Sequence, residues 1–227
     1  MYIQLTTKCN MSCPHCLYSC EQGKPGEFMS KDTFNTALDL AAKMGDYATL
    51  GGGEPTLHPK FWDFMGKAIG SACEGVWLAT NGSTTQTALA LAKMAKSGVI
   101  GCALSQDEFH DPISPEVIKA FTRSPKGYSE TTSGSDCREI RNVSGNVVDK
   151  GAAHENGLGD VANKCGCPDV HVKPDGRIFM CGCADSLYLG TIKDIDPEIL
   201  VRARESLDNE GCGENLAQTT ITYILKG

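Results

Sequence analysis

The first half of the chain alternates short apolar runs with longer stretches in which apolar residues recur every three or four positions. The short runs predict strands over residues 3–6, 47–50, 76–79 and 99–104, and the longer stretches predict helices over 31–44, 60–69, 86–96 and 115–121. Ser30 precedes the first helix and suits its N-cap. This repetition of strand and helix predicts parallel βαβ units with right-handed crossovers.

The second half follows a different pattern. Ser, Thr, Gly and Asn dominate residues 122–163, where strand-like pieces occur at 139–143 and 147–148. Apolar runs at 170–172 and 177–180 flank Pro174-Asp175-Gly176, which predicts a hairpin around a tight turn. A helix over 197–206 and an apolar tail at 221–225 complete the chain.

Composition excludes several classes of function. The 227 residues are 41% hydrophobic and carry a formal net charge of -7 without a long basic run, which argues against a nucleic-acid groove. No apolar stretch reaches the roughly 20 residues that cross a bilayer, and the start of the chain lacks a signal-peptide pattern. We therefore expect a cytoplasmic protein that does not act in a membrane.

Twelve cysteines are the most unusual feature of the composition. In a reducing compartment, cysteines at close spacing indicate a metal more often than disulfides. They form two dense groups, one near the start and one late, which suggests two metal centres. The first group comprises Cys9, Cys13, Cys16 and Cys20, and the second comprises Cys165, Cys167, Cys181 and Cys183.

The first group contains a C-x3-C-x2-C motif, Cys9, Cys13 and Cys16, in the loop after the first predicted strand. Three thiolates on a four-iron cluster leave one iron without a protein ligand. An open coordination position of this kind is typical of catalytic metal sites. The spacing alone also allows a zinc site completed by His15 or His58, or three buried thiols without a metal.

Other polar groups follow the next strands. Gly51-Gly52-Gly53-Glu54-Pro55 follows the second predicted strand, Thr80-Asn81-Gly82 the third, and Ser105-Gln106-Asp107 the fourth. The loops at the carboxyl ends of parallel barrel strands meet on one face, where active sites form. Four successive strands are therefore expected to deliver metal-binding or polar groups to one rim.

The cysteine motif followed by Gly-Gly-Glu-Pro resembles the radical S-adenosylmethionine (SAM) superfamily over about the first 110 residues. The resemblance implies that Cys9, Cys13 and Cys16 hold a [4Fe–4S] cluster whose open iron is chelated by SAM. One-electron reduction would then cleave SAM to methionine and a 5′-deoxyadenosyl radical that abstracts a substrate hydrogen. It also implies a flavodoxin- or ferredoxin-type electron donor.

The same resemblance assigns further residues. Gly52, Gly53 and Glu54 would approach the methionine amino group, Ser105 and Asp107 would help to bind the ribose or carboxylate, and Asn81 would lie nearby. His15 would place its backbone near the adenine, and Gly151, in a segment similar to a Gly-Arg-Ala motif, would approach SAM closely. Asp107 and His110 are candidates for a substrate-side acid or base, with a solvated loop as the alternative.

The late cysteines resemble the start of an auxiliary-cluster extension, called SPASM or, when short, twitch. Cys165 and Cys181 bracket the hairpin as C-x10-G-x4-C, and Leu189-Gly190-Thr191-Ile192 resembles a segment common there. The resemblance implies one auxiliary [4Fe–4S] cluster with Cys165 and Cys181 as ligands, Cys212 as the cysteine after the following helix, and Cys167 or Cys183 as the candidates for the fourth ligand. A structural zinc knuckle is the alternative.

We therefore expect an α/β protein: a partial (β/α)6-type radical SAM barrel over residues 1–163 and a small C-terminal auxiliary-cluster lobe over 164–227. A complete eight-unit barrel needs about 250 residues. The favoured function is hydrogen abstraction from a peptide or protein, leading to oxidation, cross-linking or epimerisation. The alternatives are a dehydrogenase or epimerase of a small polar metabolite such as a sugar or nucleoside, and a non-enzymatic iron–sulfur or zinc protein.

Overall fold

The computed structural model describes residues 1–123, 136–163, 169–183, 186–210 and 216–226, without the side chains of residues 208–210. Eight strands form one sheet: β1 (Tyr2–Thr6), β2 (Ala48–Gly52), β3 (Val76–Thr80), β4 (Gly101–Ser105), β5 (Arg138–Arg141), β6 (His171–Val172), β7 (Arg177–Phe179) and β8 (Tyr188–Thr191). The helices are α1 (Lys31–Lys43), α2 (Phe61–Ile69), α3 (Thr85–Lys96), α4 (Pro115–Phe121), α5 (Ala152–Glu155), α6 (Pro197–Glu210) and α7 (Gln218–Lys226). A short 3-10 helix spans Pro55–Leu57.

The sheet has the order β5-β4-β3-β2-β1-β6-β7-β8. The strands from β5 to β6 pair in parallel, and β7 and β8 then add two antiparallel pairings. In the described part of the chain, β5 and β8 lie at its two edges, so the sheet is open. This arrangement confirms the expected α/β partial barrel.

Alternation along the strands separates two faces of the sheet. Ile3, Leu5, Leu50 and Leu78 enter the hydrophobic core together with residues of the helices. The opposite face, which we call the polar face, carries Gln4, Gly51, Trp77, Gly101 and Ser105. The register pairs Gln4 with Gly51 and Trp77 with Gly101 on this face. Aromatic side chains cover two glycines of this face: a Cβ built at Gly51 would be 2.0 Å from the Tyr2 hydroxyl oxygen, and one built at Gly101 would be 2.5 Å from Cδ1 of Trp77.

The predicted first helix forms where the pattern places it. Ser30 caps α1 by accepting a hydrogen bond from the Thr33 N–H at 3.1 Å. Phe34 of α1 stacks on Phe64 of α2, with ring centroids 4.1 Å apart and planes 4° from parallel. Both rings are fully buried, so replacing either with alanine costs about 3–5 kcal/mol.

The late hairpin continues the main sheet. The Lys173 N–H donates to the Arg177 carbonyl at 2.9 Å, and Gly176 has φ +86° in the predicted Pro-Asp-Gly turn. β6 pairs with β1, and Leu200 and Ala203 of α6 belong to the same hydrophobic core as Ile3. The boundary expected after residue 163 stays a prediction.

Several elements differ in detail from the sequence prediction. The piece expected at 147–148 forms only an isolated bridge between Val148 and Asp160, and the sequence pattern does not predict β8 or α5. The helix expected over 197–206 continues to Glu210, and the apolar tail forms α7. Within the described residues, every helix is too short or too polar to span a bilayer.

Candidate active site

The C-x3-C-x2-C motif forms a loop at the carboxyl end of β1. Cys9, Cys13 and Cys16 are all half-buried, and the Cys16 N–H donates to the Cys13 carbonyl at 3.1 Å. Gly151 lies against this loop with φ +56°, and a Cβ built there would be 2.3 Å from the Leu17 carbonyl oxygen. The close approach of Gly151 is therefore to the loop backbone, which it helps to hold in place.

The charge balance of the Cys9 and Cys13 thiols suits a bound cation. Burial, followed by the charges of Cys9 and Cys16, raises the pKa of Cys13 to about 12. Burial also raises the pKa of Cys9. Thiols that repel one another in their ionised form are stabilised as thiolates when they ligate a metal. The donor set therefore fits a metal centre.

The distances between possible ligand atoms can be compared with those around a single zinc ion. Tetrahedral zinc with Zn–S bonds of about 2.3 Å places its sulfurs roughly 3.8 Å apart. In the described residues, the only trio of possible ligand atoms within 4.8 Å of one another is His15, Asp107 and His110. The sulfurs of Cys9, Cys13 and Cys16 are therefore not all within 4.8 Å of one another.

The glycines after β2 lie directly against the start of the cysteine loop. Gly52 has φ +141°, and a Cβ built there would be 2.1 Å from the Thr6 carbonyl oxygen. A Cβ at Gly53 would be 2.4 Å from the Lys8 carbonyl oxygen. The Gly53 N–H donates to Thr6 at 2.9 Å and the Glu54 N–H donates to Lys8 at 2.8 Å. Only glycine permits this approach.

The Glu54 carboxylate joins the ends of β2 and β3. It is 1% exposed and accepts hydrogen bonds from the Asn81 N–H at 2.7 Å and the Thr80 hydroxyl at 2.9 Å. Its Oε1 also accepts from the Thr56 N–H at 3.1 Å and the Thr56 hydroxyl at 2.6 Å. Burial raises the pKa of Glu54 although these donors oppose the shift. Glu54 therefore fixes the relative position of two strand ends.

Asn81 extends this network to the cysteine loop. Its Nδ2 donates to Asn10 Oδ1 at 3.0 Å and lies 3.9 Å from Cys9 Sγ. Its Oδ1 accepts from the Ser83 hydroxyl at 2.6 Å, and Asn10 Nδ2 donates to the Ser83 hydroxyl at 2.8 Å. The end of β3 is thus connected by hydrogen bonds to the residue beside Cys9.

His15, Asp107 and His110 form a second polar group above β4. Asp107 Oδ1 lies 2.7 Å from His110 Nδ1 and Oδ2 lies 3.9 Å from His15 Nε2. Burial alone would raise the pKa of Asp107, but hydrogen bonds from His110, Phe109 and Val143 outweigh it and lower the pKa. Burial lowers the pKa of His15. The group thus combines a buried carboxylate with two imidazoles.

Sequence reasoning missed Arg141 at the end of β5. Arg141 pairs in register with Ser105, and its guanidinium lies 5.5 Å from the Trp77 ring centroid on the polar face. It forms no ion pair with any described residue. The sequence around Arg141 gave little signal, because β5 is four residues long and three of its residues are exposed.

Two buried polar atoms near this edge lack a hydrogen-bond partner among the described residues: His15 Nδ1 and Gln106 Oε1. Such atoms are rare in folded proteins and indicate where a ligand completes the hydrogen bonding. His15 belongs to the cysteine loop, and Gln106 directly follows β4. These two atoms are therefore available to form hydrogen bonds with a polar cofactor.

The second cysteine group is described only in part. Cys181 and Cys183 are 1% and 2% exposed, whereas Cys165, Cys167 and Cys212 lie outside the described residues. A cavity of about 850 Å³ lies between the two groups, since Leu17 and Tyr18 line it on one side and Gly182 on another. The buried His171 ring packs against Tyr2 and Tyr18 next to it.

Comparison with known proteins agrees with this geometry. The chain matches the mycofactocin maturase MftC of Mycobacterium ulcerans (strain Agy99) with 34% identity over 104 residues, 46% of this chain and 28% of that protein. It matches the tungsten-containing aldehyde ferredoxin oxidoreductase cofactor-modifying protein of Pyrococcus furiosus with 32% identity over 102 residues, 44% of this chain and 28% of that protein. The chain thus spans under a third of these relatives.

Among solved structures, the fold resembles the crystal structure of BtrN in complex with AdoMet and 2-DOIA, with a TM-score of 0.61 and 14% identity. That likeness covers 91% of this chain and 85% of the other, and it concerns the fold. The sequence profile of the radical SAM superfamily matches residues 3–132, more than half of the 227 residues. The chain belongs to the radical SAM superfamily.

Proposed function

We propose that this chain binds a [4Fe–4S] cluster through Cys9, Cys13 and Cys16, binds SAM beside it, and abstracts a hydrogen atom from a substrate. The observation that carries the proposal is the position of the cysteine loop. It lies against the Gly52-Gly53-Glu54 turn and within hydrogen-bonding reach of Asn81. The cofactors supply, when bound, the reductive cleavage of SAM to methionine and a 5′-deoxyadenosyl radical.

The residues at the strand ends orient SAM in this proposal. The backbone of Gly52 and Gly53 receives the methionine amino group, while Glu54 and Asn81 hold this backbone in position. Ser105 and its register partner Arg141 bind the carboxylate or ribose. Arg141 suits a carboxylate because a guanidinium presents a fork of N–H donors. The loop around Cys16 is supported from outside by the glycine at position 151.

His15, Asp107 and His110 form the adenosine side of the site. Asp107 holds His110 at 2.7 Å and so fixes its ring, which leaves the other ring nitrogen for proton transfer with the substrate. His15 Nδ1, which has no partner among the described residues, is available to a polar group of the nucleoside. These roles extend the sequence-based assignment of Asp107 and His110.

We further propose that residues 164–227 carry one auxiliary [4Fe–4S] cluster. The buried Cys181 and Cys183 flank Gly182, which lines the cavity that also borders the first cysteine loop, and this supports a second centre near the same substrate space. In this proposal Cys165, Cys181 and Cys212 supply three ligands, and either Cys167 or Cys183 supplies the fourth. We place the protein in the cytoplasm, where a reducing environment keeps ligand cysteines as thiols.

A peptide or protein is the proposed substrate class, and the maturase name of the mycobacterial relatives supports a role in maturation of another molecule. A flavodoxin- or ferredoxin-type protein is the proposed electron donor. The cavity of about 850 Å³ is large enough for several amino-acid residues. Mass spectrometry of candidate substrates tests this: a peptide that loses two hydrogens or gains one solvent deuterium supports it, while turnover of small metabolites alone contradicts it.

Reductive cleavage of SAM tests the central proposal. Anaerobically reconstituted protein with dithionite and SAM is expected to form 5′-deoxyadenosine, and Cys13→Ala should abolish it. Cys73→Ala is the matched control because Cys73 lies outside the site, near the carbonyl of Leu38. A wild-type protein that binds iron and consumes no SAM would refute the proposal. About eight irons per chain would support two clusters and about four only one.

A further inference from the structure

Tyr2 contacts the glycine turn after β2, although it lies at the opposite end of β1 from the cysteine loop. Its ring lies over Gly51 on the polar face, in the space that a Cβ at Gly51 would fill. The Tyr2 hydroxyl oxygen accepts a hydrogen bond from the Gly52 N–H at 2.8 Å. Because Gly51 has no side chain, a residue at the start of the sheet thus reaches the proposed SAM site.

The hydrogen bond to Tyr2 is one of three that hold this turn. The next two N–H groups of the turn donate to the backbone carbonyls of Thr6 and Lys8 at 2.9 and 2.8 Å. Since a peptide unit is planar, each held N–H also fixes the direction of the carbonyl that precedes it. Three successive peptide planes are therefore fixed, two by backbone acceptors and one by the side chain of Tyr2.

Gly52 is the residue of the turn with the most unusual backbone. Its φ of +141° is a conformation that glycine adopts readily, and glycine also has the widest choice of other conformations. The bond from its N–H to Tyr2 restricts this choice. Tyr2 is itself held by packing, since its ring centroid lies 4.7 Å from that of the buried His171 and 5.8 Å from that of Tyr18.

We propose that Tyr2 is a positioning residue for SAM: its hydroxyl orients the peptide plane before Gly52, so that the glycine turn accepts the methionine amino group. The inference rests on the proposed function, which assigns the amino group to Gly52 and Gly53. Tyr2 acts through the turn, so it should affect binding of the part of SAM that carries the amino group. 5′-Methylthioadenosine has the adenosine and sulfur of SAM without the amino and carboxylate groups, and its binding should not depend on Tyr2.

Equilibrium dialysis of SAM and of 5′-methylthioadenosine with the reconstituted, oxidised protein tests this role. Tyr2→Phe keeps the ring and its packing but removes the acceptor of the Gly52 N–H. It should raise the dissociation constant of SAM about fivefold and leave that of 5′-methylthioadenosine and the iron per chain unchanged. Tyr47→Phe is the matched control, because Tyr47 is 50% exposed and packs over Gly75, and it should match wild type in all three measurements.

The outcomes separate this inference from the proposed function. A wild-type protein that assembles its cluster and does not bind SAM refutes the proposed function itself. If wild type binds SAM and Tyr2→Phe binds it equally well, only the role of Tyr2 is wrong. An equal loss of affinity for both ligands also overturns that role, because Tyr2 would then support the whole site. Loss of iron in Tyr2→Phe does so too, since Tyr2 would then support the cysteine loop.

Discussion

Glu54→Gln tests whether the buried carboxylate connects the two strand ends. The side chain has nearly the same shape, and its remaining oxygen can still accept from Thr56 and Thr80. The new amide nitrogen then faces the Asn81 N–H, which has the Glu54 Oε2 as its acceptor at 2.7 Å. One buried donor loses its partner, which destabilises the fold by about 1–3 kcal/mol.

The raised pKa of Glu54 also predicts how the stability difference between wild type and Glu54→Gln changes with pH. Burial raises the pKa of Glu54 above its ordinary value, so the folded wild type binds this proton more tightly than the unfolded chain does. Its contribution to stability is therefore greatest at low pH and decreases as the pH rises from about 4.5 through the folded pKa. Glu54→Gln lacks this titration, so the difference in stability between wild type and variant should narrow with rising pH.

Urea unfolding of the metal-free protein at about pH 5, 6.5 and 8 measures the destabilisation and its pH dependence. The free energy of unfolding at each pH follows from the urea midpoint and the slope of the free energy against urea concentration. Glu74→Gln, which changes an exposed carboxylate, is the matched control and should stay within about 0.5 kcal/mol of wild type. If Glu54→Gln is as stable as the control and runs parallel to wild type over this pH range, the carboxylate does not make these contacts.

Three other predictions address separate parts of the site. Gly151→Ala should reduce iron per chain after reconstitution because its Cβ meets the Leu17 carbonyl, whereas Gly145→Ala, which has a similar positive φ in open space, should bind iron normally. Burial lowers the pKa of His171 to about 3, so the free energy of unfolding of wild type should decrease as the pH falls from about 6.5. In His171→Phe the urea midpoint should decrease less than in wild type between about pH 7 and pH 5. Arg141→Gln should raise the SAM concentration for half-maximal 5′-deoxyadenosine formation about tenfold, while the iron content stays unchanged. Arg141→Lys should partly restore the wild-type SAM concentration. If Arg141→Gln needs no more SAM than wild type, Arg141 does not bind the carboxylate.

The strongly patterned elements were predictable from the sequence. β1 to β4 and α1 to α4 lie within about two residues of their predicted positions, since each has a clear apolar period and, for α1, a capping serine. β8 was not predicted, because four residues are too few for the alternation of apolar and polar positions to distinguish a strand from a loop. The hairpin was predicted because Pro174-Asp175-Gly176 specifies its turn.

By itself the sequence determined the chemistry available to this protein: three closely spaced thiols, a glycine-rich turn and the strands that precede them, because local spacing and periodicity are properties of the chain. Only the tertiary structure decided which groups meet. It placed β6 beside β1, turned Glu54 toward Asn81 and brought Arg141 into register with Ser105. These contacts join residues far apart in the chain, and their geometry depends on packing that no local pattern specifies.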